Sequence, residues 1–98
     1  MLGDTIDAVT AERYGLVNRM VSHDELLSSA SAWAHRLAQG PTLAISMTKH
    51  LINHELSMDL ASAIEAEAQA QALMLMGDDH RRFFESFKAK EKPKFIGR

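Results

Sequence analysis

The sequence predicts an all-α protein of about five helices. Apolar residues recur at helical spacing through most of the chain, and residues that favour helix starts and helix ends separate these stretches. For example, Leu26, Ala30 and Trp33 share one helical face. Gly40 then ends this stretch and Pro41 opens the next one, which is the usual placement of each residue type. No internal repeat or low-complexity linker is found, so we treat all 98 residues as a single helical module.

The first 21 residues predict a short helix followed by an extended segment. Asp7 can cap a helix that reaches about Tyr14, and Gly15 can end it. Residues 16–21 alternate imperfectly between apolar and polar side chains and favour β structure. Either a short strand or an extended connection fits this segment.

Residues 22–98 predict four further helices. Ser22 and Glu25 have the spacing of a capping box, in which each side chain bonds the backbone N–H of the other residue. This box precedes the second helix. The third helix starts at Pro41, and Ser57 is the expected cap of the fourth.

The fourth helix is predicted to end in an unusually apolar segment, residues 72–76. Because this segment is apolar around most of its circumference, we expect it to be buried on all sides or to meet a partner. Gly77 closes the helix, and Asp78 and Asp79 suit the positive N-terminal end of the fifth. The fifth helix is expected to end at Pro93.

The composition is that of a globular protein and excludes several classes of function. Apolar residues make up 46% of the chain and charged residues 24%, with a net charge of −2. This charge gives no reason to expect a nucleic-acid partner. There is no cysteine, which excludes disulfides and thiolate metal sites. No apolar run approaches the ~20 residues of a membrane span, and no secretory signal is recognisable, so we expect a cytoplasmic protein without a membrane partner.

No group of residues in the sequence carries a catalytic or metal-binding pattern. His50 and His54 would share a helical face, but Leu51 occupies the position of the glutamate in a zinc protease motif, and no third ligand is evident. Glu65 and Glu67 diverge by about 200° around a helix, so they cannot act jointly on one bond. No serine lies in a nucleophile motif. We therefore expect no catalytic residue and no metal site.

The clearest candidate site is the basic C-terminal end. Five basic side chains and a single acidic one lie between residues 88 and 98, whereas the rest of the chain is acidic. Phe87 and Lys90 are three residues apart, which would place an aromatic ring and a cation on one helical face. Such a pair can hold a flat base or an apolar arm next to a phosphate. A core phenylalanine beside a surface lysine explains the same spacing without any ligand.

Several short motifs, in their order, resemble the crotonase family of enoyl-CoA hydratases and isomerases. In that family one segment has the pattern Leu-Thr-Gly-Asp-x-Ile-x-Ala, then an alanine, then Gly-Leu-Val. Residues 2–8 (LGDTIDA) and 15–18 (GLVN) match this pattern, except that Leu2 replaces the threonine. The resemblance continues through Gly40-Pro41 and ends with residues 92–98 (KPKFIGR), so it covers essentially the whole chain.

The resemblance implies that this chain corresponds to the C-terminal helical part of the crotonase fold. In the family, the spiral of ββα turns lies upstream, together with the backbone amides that hold the thioester oxygen and the catalytic glutamates. The chain is therefore expected to be a fragment of a larger protein and to be catalytically incomplete by itself. Which reaction of the family the larger protein would catalyse is left open.

The resemblance also implies roles for this region. In the family it contains a helical trimerisation surface and the outer wall of the coenzyme A pocket. Residues equivalent to Phe87 and Lys90 help to hold the nucleotide end of coenzyme A there. We therefore expect a homo-oligomer, a trimer or a multiple of one, with an acyl-CoA thioester as substrate and no separate cofactor. The alternative is a stand-alone helical self-association module without catalysis.

Overall fold

The computed structural model of the protein describes residues 3–98, which contain five α-helices and no strand. The bounds of the helices are Ala8–Arg13 (α1), Leu26–Ala38 (α2), Thr42–Glu55 (α3), Leu60–Leu75 (α4) and Asp78–Ala89 (α5), with a single turn of 3-10 helix at His23–Glu25. The predicted all-α class is confirmed. Leu2, which replaces the family threonine in the opening motif, lies outside the described residues. None of the helices in residues 3–98 has the length and apolar character that crossing a membrane requires.

The chain divides into two compact units, one up to Trp33 and one from Ala34 onward. In the first unit, the predicted cap of α1 is confirmed, since Asp7 Oδ1 accepts a hydrogen bond from the Thr10 N–H at 2.8 Å. Hydrogen bonds from Thr10, first from its side chain and to a smaller extent from its backbone, lower the pKa of Asp7. Residues 16–21 form no strand, so the strand alternative is wrong, and residues 16–18 are a bend that continues the turn after α1.

The capping box predicted from Ser22 and Glu25 is wrong in its contacts. The Ser22 hydroxyl donates to Glu25 Oε2 at 2.7 Å, so the two side chains bond each other instead of the backbone amides. The Glu25 N–H reaches the Ser22 carbonyl at 3.1 Å. This close 3-10 geometry brings the two side chains together before α2 begins.

The second unit contains α3, α4 and α5, with α4 packed against both neighbours. Here the predicted cap of α4 is also wrong. Asp59, not Ser57, caps this helix, because Asp59 Oδ1 accepts from the Ser62 N–H at 3.0 Å and Oδ2 from the Ser62 hydroxyl at 2.7 Å. The Ser57 hydroxyl instead donates to the His54 carbonyl at 3.0 Å and so satisfies the end of α3.

The fifth helix ends at Ala89, four residues before the predicted end at Pro93. Lys90 adopts a left-handed conformation, with φ 57° and ψ 36°, which stops the helix. Its N–H bonds the Phe87 carbonyl at 3.2 Å, and the next N–H, that of Glu91, bonds the Ser86 carbonyl at 2.9 Å. These two bonds form a Schellman motif, and they satisfy carbonyl groups that the end of a helix leaves free.

Candidate functional site

The candidate site lies at the C-terminal half of α5 and along residues 90–98, which we call the C-terminal tail. Phe87 is on α5 and is 70% exposed, so the description of it as a core phenylalanine does not hold within the described chain. Its ring stacks on that of Phe83, with 6.2 Å between the centroids and 26° between the planes. The exposed aromatic surface is therefore held in place on one side by a second ring.

The structure places Lys90 beyond the helix, so the prediction that Phe87 and Lys90 share a helical face is wrong in its geometry. Lys90 is the first residue of the tail and is the only described residue other than glycine with a positive φ. A left-handed conformation costs a residue with a Cβ atom about 1–2 kcal/mol. Glycine would adopt this conformation without that cost. Strained backbone positions of this kind cluster at functional sites.

A second lysine makes a contact that the sequence reasoning missed. The Lys88 ammonium lies over the Phe84 ring, with 4.4 Å between Nζ and the centroid, within the range of a cation–π interaction. The four-residue spacing of an aromatic and a cation on one helix was the available signal. Lys88 thus contacts an aromatic ring of its own helix, whereas Lys90 lies beyond the end of that helix.

A polar pocket of about 220 Å³ lies between α5 and the C-terminal tail. Its lining combines three basic and two acidic side chains with one hydroxyl: Arg82, Glu85, Ser86, Glu91, Lys92 and Lys94. One wall comes from α5 and the other from the tail. Lys92 and Lys94 of the tail therefore line a pocket together with residues of the helix that carries Phe87.

The far end of the tail is held by Asp79, in the first turn of α5. Asp79 is only 8% exposed and is the one buried polar residue in the described part of the chain. Its Oδ1 accepts from the Ile96 N–H at 2.7 Å, and its Oδ2 accepts from the Gly97 N–H at 2.9 Å. The Asp79 N–H in turn donates to the Arg98 carbonyl at 2.8 Å. The sequence suggested that Asp79 caps α5 and interacts with the helix dipole, and it is one of the positions that match the family, but no contact with the tail was predicted.

Gly97 allows the tail to approach the start of α3. Its φ is +80°, and a Cβ atom built on it would lie 2.6 Å from Thr42 Oγ1. Both the backbone conformation and the close approach require a residue without a side chain at this position. The other aspartate of the pair, Asp78, is partly exposed, bonds Arg81 at 2.7 Å and lies 3.7 Å from Arg98 Nε.

An apolar cavity of about 410 Å³ lies next to the tail in the second unit. Its wall includes Phe95 of the tail, Phe83 of α5, and Met74 and Leu75 of α4. The apolar end of α4 is not buried as a whole, since Leu75 is 51% and Met76 77% exposed. Of the two outcomes predicted for this segment, burial on all sides is therefore wrong for the chain by itself.

Residues 3–98 contain no group of three or more side chains that could hold a metal ion. The His50 and His54 rings lie together, with 4.2 Å between their centroids. A carboxylate that the sequence reasoning did not single out, Glu55, has a raised pKa, because local desolvation and the nearby Glu67 both disfavour its charge. Glu55 Oε1 is buried without a hydrogen-bond partner. Glu65 accepts a hydrogen bond from Gln69 at 2.9 Å.

Comparison with known proteins agrees with the resemblance noted above. The sequence profile of the enoyl-CoA hydratase/isomerase family matches residues 1–98. A crotonyl-CoA hydratase of Syntrophomonas wolfei is 33% identical over 95 residues, which are 97% of this chain and 36% of that protein. A crystal structure from Mycobacterium abscessus, assigned as an enoyl-CoA hydratase/isomerase, is 43% identical with a TM-score of 0.95, over 99% of this chain and 37% of that one.

A second crystal structure, of an assigned enoyl-CoA hydratase from Streptomyces coelicolor A3(2), is 44% identical with a TM-score of 0.95. It covers all of this chain, which corresponds to 36% of that protein. The chain thus spans between about a third and two fifths of the length of the relatives that it matches. Over that span both sequence and helical architecture agree, and the chain belongs to the enoyl-CoA hydratase/isomerase family, the crotonase family.

Proposed function

We propose that this chain is the C-terminal oligomerisation and coenzyme A-pocket-wall part of an enoyl-CoA hydratase/isomerase that acts on acyl-CoA thioesters. One observation carries the proposal. An exposed aromatic ring, Phe87, lies at the end of α5, and a lysine held in a strained left-handed turn, Lys90, follows three residues later. Together they offer an apolar face and a cation to a ligand that has a flat ring beside a phosphate.

The nucleotide end of coenzyme A has this chemistry. Its adenine can stack on the Phe87 ring, an interaction worth about 1–3 kcal/mol per base. Its phosphates can accept charge-assisted hydrogen bonds from the Lys90 ammonium. The basic side chains of the tail add a favourable field for an anion. Coenzyme A enters as part of the substrate, and no separate cofactor is proposed.

We propose that the chain is catalytically incomplete by itself. Activation of a thioester needs hydrogen-bond donors preorganised around its oxygen, and hydration of a double bond needs a positioned acid and base. Glu55 has the raised pKa of a candidate acid, but the adjacent Glu67 accounts for part of that shift, and no described contact links Glu55 to Phe87 or Lys90. The residues proposed to bind coenzyme A are therefore not accompanied by residues that would react with it.

The oligomerisation role is supported by the exposed end of α4. Leu73, Leu75 and Met76 are each more than half exposed, whereas apolar surface in water costs about 25 cal/mol per Å². Association of these helices in a closed homo-oligomer, a trimer or a multiple of one, would remove that surface from water. The same exposure also favours the second candidate, a stand-alone self-association module, which would bind no coenzyme A.

Ligand binding separates the two candidates. We expect Lys90→Ala to weaken binding of a CoA ester by about 1.5–3 kcal/mol, and by less at high salt, as for a lost charge-assisted contact. Titration calorimetry with a CoA ester and with a pantetheine thioester that lacks the nucleotide measures this effect.

The matched control is Lys88→Ala, which removes the same charge two residues away from a side chain that contacts Phe84. We expect the control to change the affinity much less than Lys90→Ala does. Equal losses for the CoA ester and the pantetheine thioester would show that Lys90 does not contact the nucleotide. Absence of any CoA-ester binding by the assembled wild-type chain would favour the stand-alone module.

A further inference from the structure

We propose that Asp79 is a positioning residue for the coenzyme A site, because its carboxylate fixes the C-terminal tail that begins with Lys90. The inference rests on the proposed function, and it assigns to a buried acidic residue a role in binding an anion. Asp79 lies eleven positions before Lys90 in the sequence, at the opposite end of α5. It acts on the ligand through the tail and not by contact.

The tail is tethered at both ends. At its start, the N–H groups of Lys90 and Glu91 bond carbonyls of the last turn of α5. At its end, the Asp79 carboxylate binds two backbone amides, those of Ile96 and Gly97, and the Asp79 N–H binds the Arg98 carbonyl. Only a few residues remain between these points, so their path along α5 is restricted by the short reach of the chain.

The chemistry of this tether is specific to a carboxylate. Two amide donors approach the two oxygens of one side chain, and bonds of this kind to an ionised acceptor are about twice as strong as neutral ones. An asparagine at the same position has only one acceptor oxygen, and its NH2 group would face an N–H. An apolar side chain would leave both amides of Ile96 and Gly97 without partners.

The tether also explains why the tail forms one wall of the polar pocket beside α5. The segment between the two ends carries Lys92 and Lys94, which line the polar pocket together with Arg82 of α5. Release of Ile96 and Gly97 would free this wall of the pocket. It would also leave the turn at Lys90 held only by its two bonds to the last turn of α5.

Asp78 provides a matched control. It carries the same charge in the same turn of α5, so it has a similar interaction with the helix dipole. Its carboxylate bonds the Arg81 side chain and lies 3.7 Å from Arg98 Nε of the tail, but among the described contacts it accepts no hydrogen bond from a tail backbone amide. A comparison of Asp79→Asn with Asp78→Asn therefore separates the tether from the effect of removing a negative charge.

The two explanations predict opposite changes in ligand affinity. Removal of one negative charge from the far end of α5 slightly favours an anionic ligand, so electrostatics alone would tighten, and not weaken, binding of a CoA ester in both variants. If Asp79 positions the tail, Asp79→Asn weakens CoA-ester binding about fivefold or more while Asp78→Asn does not weaken it. Binding of a pantetheine thioester should be unchanged in both variants. Unchanged or tighter CoA-ester binding by Asp79→Asn would overturn the proposal.

Amide hydrogen exchange reports on the tether without any ligand. In Asp79→Asn, we expect the Ile96 and Gly97 amides to exchange at least about tenfold faster, with normal protection in α3 and α4. In Asp78→Asn their exchange should match that of the wild type. Unaltered protection of both amides in a folded Asp79→Asn protein would refute the tether, whatever the result of the Lys90→Ala titration.

A second variant keeps the test decisive if Asp79→Asn does not fold. Truncation before Ile96 removes the tethered end and leaves Lys90, Lys92 and Lys94 in the chain. The truncated protein should lose CoA-ester affinity in the same direction as Lys90→Ala, and full affinity would contradict the proposal. If Lys90→Ala itself has no effect, the proposed function fails, whereas faster exchange at Ile96 and Gly97 would still establish the tether.

Discussion

Replacement of Gly97 by alanine perturbs the point at which the tail meets α3. The φ of +80° costs about 1–2 kcal/mol for a residue with a Cβ atom. The added Cβ would also lie 2.6 Å from Thr42 Oγ1, far inside contact distance, so Thr42 or the tail must shift. Overpacking of this kind costs about 1–3 kcal/mol. We therefore expect Gly97→Ala to lower the free energy of unfolding by roughly 2–5 kcal/mol.

A double-mutant cycle separates the two contributions. Thr42→Ala removes the oxygen that the new Cβ would meet, so in this background Gly97→Ala should cost only the backbone part, about 1–2 kcal/mol. Gly15→Ala is a control for the backbone part, since Gly15 has φ +73° and no atom within 4 Å of a built Cβ. Urea unfolding followed by far-ultraviolet circular dichroism gives each value. An equal cost of Gly97→Ala in both backgrounds would show that Gly97 does not approach Thr42.

Further predictions concern activity, assembly and pH. The purified chain should not hydrate crotonyl-CoA, measured as loss of absorbance of the conjugated thioester at high protein concentration; turnover that survives further purification would contradict this. Sedimentation equilibrium across a hundredfold dilution should show self-association, and a single 10.9 kDa species that binds no hydrophobic dye would exclude it. Desolvation and Glu67 raise the pKa of Glu55 above 4.5 in the folded state. Ionisation of Glu55 therefore lowers the free energy of unfolding as pH rises through the raised pKa. Glu55→Gln should therefore raise Tm at pH 7 but leave it unchanged well below pH 4.5, where Glu55 is already neutral. An unchanged Tm at pH 7 would contradict the desolvation of Glu55. Hydrogen bonds from Ser62 lower the pKa of Asp59 below 3.8, so the stability that Asp59 contributes is lost as pH falls through the lowered pKa. Asp59→Asn should therefore make Tm depend less on pH in acid. An unchanged pH profile of Tm would count against the cap at Asp59.

Contacts between close neighbours in sequence were the most predictable part of the fold. The cap at Asp7 depends on a residue three positions away and was predicted correctly. The cap of α4 was misplaced because Ser57 and Asp59 both favour helix starts and lie two residues apart, so residue type alone does not choose between them. The early end of α5 was missed because lysine gives no signal for a left-handed conformation, which glycine usually adopts at that position.

Contacts between distant residues could not be predicted in the same way. Asp79 and Ile96 are separated by 17 positions, and nothing in the local sequence of either residue identifies the other as its partner. The candidate pair Phe87 and Lys90 was found from its spacing, but its geometry depends on the turn at Lys90, which residue type does not reveal. The order of the motifs identified the family because it combines many weak local signals. The contact of the Asp79 carboxylate with two backbone amides has no comparable pattern in the sequence.

The contact between Gly97 and Thr42 has a consequence for the order in which the protein folds. These residues are 55 positions apart, whereas the bonds of Asp79 to the tail span fewer than 20. Closing the longer loop costs more chain entropy, so the end of the tail can settle against α3 only after α3, α4 and α5 have come together. We therefore expect this contact to form after the folding transition state. Changes at Gly97 should therefore speed unfolding and leave the refolding rate nearly unchanged, which makes the tail a determinant of how long the native state persists.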